Sequence, residues 1–127
     1  MNTLLICLFA AMLLPYLAKG PVAVAMAKLG GYDNRHPRTQ QAQLTGFGAR
    51  ALAGHQNAFE SLLIFGLAAL TVMAVDKVNG TVELLAMVHV AARIAYHLLY
   101  LMDKGTLRSL SWFIGIFSAF GIFFQAF

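Results

Sequence analysis

Four runs of about twenty apolar residues, divided by short polar breaks, take up nearly all of this 127-residue chain and leave little else from which to build a fold. In lipid every backbone N–H and C=O must be satisfied within its own segment. A run that crosses a bilayer core of about 30 Å therefore becomes a helix of roughly 20 residues. The runs lie at about 4–27, 51–75, 81–101 and 110–127. The predicted fold is all-α: one domain, residues 1–127, forming a transmembrane antiparallel four-helix bundle. Composition agrees, because a soluble domain with 60% apolar and only 11% charged residues would expose too much apolar surface to stay dispersed.

The breaks set the topology. Pro15, Lys19 and Pro21 interrupt the first run and predict a kink there, with Lys19 snorkelling to a headgroup. No positive charge precedes this run and no small-x-small site follows it, so it reads as a retained span rather than a signal peptide. The main loop, Lys28 to Gly48, is rich in turn formers, whereas Asp76 to Gly80 makes a tight turn. Met102 to Leu107 makes the last connection, with Gly105 as the predicted stop of the third helix. Lys28, Arg35, Arg38, Arg50, Lys104 and Arg108 fall on one side and only Lys77 on the other. The positive-inside rule then puts both termini outside and the main loop in the cytoplasm. Such short loops fit a bacterial inner membrane protein. The net charge of +4 reflects this bias and not a nucleic-acid surface, since no recognition helix carries it. Cys7 is the single cysteine, so no intrachain disulfide forms, and the scattered histidines show no metal-ligand spacing.

Ionisable groups inside spans are expensive and mark function by default. Glu60 and Arg93 are the clear cases. Arg50, Asn57 and Glu60 share an arc of about 80° on the second helix, and His55 projects elsewhere. His89, Arg93, Tyr96, His97 and Tyr100 share an arc of about 100° on the third. A structural reading pairs Glu60 with Arg93 to pin the helices, leaves Tyr96 and Tyr100 as interfacial anchors, and makes His55 a packing residue or a neighbour of another subunit. Against it stands number: two arginines, a carboxylate, an amide and two tyrosines near one depth exceed what pinning requires. The set suits an anionic ligand with a free amine, with Glu60 for the amine, Arg50 and Arg93 for carboxylates and Asn57 for a peptide group.

These residues resemble the MAPEG family, the membrane-associated proteins of eicosanoid and glutathione metabolism. The resemblance runs through YDNRHPR in the main loop, Arg50 to Glu60 on the second helix, Arg93 to Tyr100 on the third, and Arg108-Ser109 at the opening of the last. It implies a homotrimer that binds glutathione as co-substrate between neighbouring subunits, embedded in membrane lipids and acting on a hydrophobic small-molecule substrate. Carried over residue by residue, it assigns Asn57 and Glu60 from one subunit and Arg93, Tyr96 and Tyr100 from the next to glutathione. It places Arg108 or Ser109 by the thiol as the catalytic group. A cation and a helix N-terminus there would favour the thiolate. Two positions depart from the family pattern. Ala53 stands where glutathione-binding members commonly carry arginine, with Arg50 one turn earlier as the nearest substitute, and Trp112 replaces a tyrosine.

Three functions compete. The first is a glutathione-dependent transferase or peroxidase acting on lipophilic electrophiles or lipid peroxides, favoured by Arg108-Ser109. The second is a non-catalytic lipid-binding or scaffold protein of the same fold, favoured by Ala53 and Trp112. The third is a small multidrug exporter. It ranks last, because such exporters generally place their carboxylate on the first helix, and Arg93 would repel cationic drugs.

Overall fold

The computed structural model describes residues 1–127. It contains α1 (Asn2–Ala27), α2 (Pro37–Gln41), α3 (Gly46–Ala74), α4 (Gly80–Leu101) and α5 (Gly105–Phe124). All but α2 are long and apolar enough to cross a membrane. The helix continues through both prolines of α1, so the first run is one unbroken element; Pro15 is fully buried against its neighbours.

Two boundaries differ from the sequence reading. Helix α3 starts at Gly46, five residues before position 51, where the extended Thr45 and Gly46, at φ 53°, turn the chain into the helix. Gly48 permits this extension. A Cβ there would lie 3.0 Å from the Ala25 Cβ and 2.9 Å from Leu44 Cδ2. Gly105 does not stop the third helix but opens the last one. The reversal is made by Asp103, at φ 58°, with Lys104 N–H donating to the Leu99 carbonyl. Asp76 repeats the device at the end of α3, at φ 55°, with Lys77 N–H donating to the Val72 carbonyl. Both are left-handed helix ends in which aspartate takes the place usual for glycine.

Packing runs around the bundle in the order α1, α3, α5, α4, and the consecutive helices α3 and α4 also meet across its diagonal. Two apolar clusters result. The larger, toward the termini, joins Leu4, Cys7 and Ala11 to Phe65, Ala69, Val72, Val82, Ala86, Ala119 and Ile122. The smaller, at the loop-bearing end, is Val22, Met26 and Ala51. Many of these residues are alanines, and small side chains allow the close helix approach on which membrane bundles depend.

The ends are tied by polar contacts. At the terminal end the Met1 amine pairs with Glu83, and Asn79 Nδ2 donates to Gln125 Oε1 at 3.3 Å. Both termini therefore lie at one end of the bundle. At the other end the main loop is ordered by its own polar residues. Asp33 Oδ1 accepts from the Arg35 and His36 amides, both at 3.0 Å. Buried Gln40 accepts from the Asp33 amide at 2.9 Å and donates to the Gly31 carbonyl at 2.7 Å. The DNRHP stretch thus shapes the loop.

Candidate functional site

Between the two apolar clusters lies a polar layer, and Arg93 is its centre. Its position on α4 turns it inward toward α3 and α5, where only 3% of its surface stays exposed. Gly115 on α5 packs against it, since a Cβ there would sit 3.4 Å from Arg93 Cδ, at ordinary contact distance. The guanidinium Nη2 donates to Asn57 Oδ1 at 2.7 Å, and Asn57 Nδ2 donates to Glu60 Oε2 at 2.8 Å. Arg93 and Glu60 therefore do not form the direct ion pair of the structural reading. An amide stands between them and orients both, and Glu60 lies exposed on α3.

These three residues line a cavity of about 90 Å³ together with Ser61, Ile64, His89, Trp112, Ile116 and Ala119. One end is charged and the other apolar. His89 holds the apolar end in register. Its Nδ1 donates to the Gly115 carbonyl at 2.8 Å, and its ring stacks on Phe65 with centroids 4.2 Å apart. With Nδ1 protonated, Nε2 is left as an acceptor, 3.4 Å from the Ser61 hydroxyl.

Toward the loop-bearing end the arginines and tyrosines form a ladder. Arg93 Cζ lies 4.1 Å from the Tyr96 ring centroid. Tyr96 meets Tyr100 edge to face at 5.6 Å. Arg108 Cζ then covers the Tyr100 ring at 4.4 Å. Because α5 begins at Gly105, Arg108 and Ser109 belong to its first turns. Neither lines the cavity at Asn57 and Arg93.

Arg50 stands apart. It shares an arc with Asn57, but seven residues put it about 10 Å away along the helix axis. It lines a separate cavity of about 30 Å³ with Gly54, His97 and Tyr100, and its Nε lies 4.0 Å from Asp103 Oδ1. Angular reading placed it with Asn57 and Glu60; axial distance separates them. Within one chain, Arg93 already bonds Asn57.

His55 is a packing residue, as the structural reading had it. Its Nδ1 donates to the Pro15 carbonyl at 2.7 Å. Ser61 and Gly115 were missed as site residues. Ser61 lies one turn beyond Asn57 and shares its side of α3, which was a usable signal, whereas Gly115 acts through its carbonyl, which no pattern reveals.

Neither the curated proteins nor the solved structures compared with this sequence include a match. The family model that does match covers residues 3–127, nearly the entire chain. With four helices long and apolar enough to cross a membrane, and a family match over nearly its whole length, the chain is an integral membrane protein that belongs to the MAPEG family.

Proposed function

We propose that this protein is a glutathione-dependent transferase or peroxidase acting on lipophilic electrophiles or lipid peroxides. The observation that carries the reading is the hydrogen-bonded row Arg93–Asn57–Glu60 at the charged end of a cavity whose other end is apolar. The donor set fits the tripeptide. Arg93 retains N–H donors for a carboxylate, Glu60 retains an oxygen for the amine, and Asn57 retains one donor and one acceptor for a peptide group. Glutathione supplies a thiol whose ionised form attacks electrophiles. The chain's part is to hold the tripeptide, to place Arg108 and the start of α5 where negative charge on sulfur is stabilised, and to admit an apolar partner from the bilayer.

The cavity seats only one end of such a ligand, so the remainder must lie over the exposed flank of α3. That flank carries Gln56 and Glu60 in mid-span, flanked by Leu63, Leu67 and Leu70. A carboxylate does not face hydrocarbon at such depth; it faces protein or water. A second copy covering this flank satisfies it, and the homotrimer implied by the family resemblance provides one.

A specific observation favours the non-catalytic alternative. Arg50, the substitute for an arginine at Ala53, is drawn to Asp103 and lines a different cavity. Calorimetric titration of the detergent-purified protein with glutathione, read alongside ultraviolet thiolate absorbance, separates the two. Heat with thiolate formation is the expected result. Binding without thiolate assigns the fold to a recognition role, and no binding at millimolar ligand removes glutathione from the proposal.

A further inference from the structure

The ladder of arginines and tyrosines above the polar layer ends at Arg108, one turn into α5, whose Cζ lies 4.4 Å from the centroid of the Tyr100 ring. Arg108 joins neither of the chain's two ion pairs, which are Met1 with Glu83 and Arg50 with Asp103. Asp103, the acidic residue nearest to it in sequence, is thus turned toward another arginine. A carboxylate would hold Arg108 by neutralising it and occupying its N–H donors. The face of a ring attracts the same cation through its quadrupole and takes up neither. An arginine held in this way keeps its charge, and the donors in its guanidinium plane, for an arriving anion.

Tyr100 is itself held in place. Buried Tyr96 meets it edge to face, with 85° between the ring planes. Gly54 on α3 comes close as well, since a Cβ there would stand 3.9 Å from Tyr100 Cδ2. The direction of the ring is therefore set by the packing of α3 against α4, and through the ring that packing reaches α5. We propose that Tyr100 is a positioning residue for Arg108. Its ring face holds the guanidinium at the start of α5, with charge and donors free for the ionised sulfur of the co-substrate. This inference rests on the glutathione reading, and it gives the ring a task separate from any hydrogen bond between its hydroxyl and the ligand.

Thiolate absorbance of the glutathione-saturated protein, followed against pH, tests this. Arg108→Leu should return the bound thiol toward the behaviour of a free one. Tyr100→Leu should lower the ratio of thiolate to thiol about tenfold, the scale of one partly desolvated cation–π contact. In the Tyr100→Leu, Arg108→Leu double variant the two effects should not add, because one residue acts through the other. Tyr100→Phe should restore the wild-type pH profile, whatever it does to affinity. Progressively fluorinated phenylalanines at position 100 keep the shape of the ring and weaken its face, so the profile should move stepwise to higher pH. A Tyr100→Leu profile equal to the wild type overturns the proposal, and so does a profile indifferent to fluorination. Tyr100→Phe behaving like Tyr100→Leu also overturns it, by assigning the effect to the hydroxyl. The contact can be read without ligand too. Ring current should displace the Arg108 Nε–H proton resonance upfield in the wild type and in Tyr100→Phe, but not in Tyr100→Leu. An undisplaced wild-type resonance overturns the proposal. A displaced one, with no glutathione heat, removes the proposed function but upholds Tyr100 as the residue that positions Arg108.

Discussion

Arg93 is the side chain whose placement costs most, and the amide of Asn57 is what answers it. Asn57→Ala would leave a buried guanidinium N–H unpaired, at a cost of about 1–3 kcal/mol, seen as a lower unfolding midpoint in detergent. Glu60→Gln should behave differently. The new side chain still offers an oxygen to Asn57 Nδ2, so the midpoint stays within error of the wild type. Glutathione affinity should nonetheless fall roughly tenfold with the loss of a charged partner for the amine. A Glu60→Gln variant that binds as tightly as the wild type would take Glu60 out of the site. The contrast between the two variants separates a residue that orders the layer from one that meets the ligand.

At the scale of elements, α3 and α4 are placed by their ends as much as by their faces. Gly48 sits where the extended start of α3 crosses α1, and its neighbour Ala25 has no side-chain freedom with which to yield. Gly48→Ala should therefore destabilise the α1–α3 contact by about 1–3 kcal/mol, measurable as a lower midpoint. The start of α4 depends on Asn79, whose side chain accepts from the Val82 amide at 3.0 Å. Asn79→Ala should cost about 1 kcal/mol, and retention of full stability would show that the cap is not needed in the membrane setting. The DNRHP stretch was legible as a turn-rich loop and as part of a family signature. Its work in closing that loop through Asp33 and Gln40 required the fold, because Gln40 reaches back to a carbonyl nine residues away.

For the whole molecule, the arrangement of charge and exposed polar surface sets two expectations. The excess of Lys and Arg at the loop-bearing end predicts that this end faces the cytoplasm. An Arg35→Cys variant should react with impermeant thiol reagents only after the cytoplasmic side is opened. Cys7 is buried and gives little background. Labelling in intact cells would reverse the orientation. Glu60 on an outer flank predicts association, and sedimentation of the detergent-solubilised protein should give a mass of three copies. A stable monomer would require another cover for that carboxylate.

Much of this protein can be read from its linear pattern, for a physical reason. A bilayer core admits few backbone solutions, so four apolar runs of sufficient length dictate four helices, and short breaks dictate their alternation. The same economy of charge within spans made Asn57, Glu60 and Arg93 visible as a group. Helical periodicity reports angle and not depth, however, and so it could not tell that Arg50 lies too far along α3 to reach the others. Nor could it tell that Arg93 reaches Glu60 only through Asn57, or that the Gly115 carbonyl holds His89. Those relations depend on how closely α3, α4 and α5 approach one another. That distance is fixed by side chains from three helices packing at once, so it belongs to the tertiary structure alone.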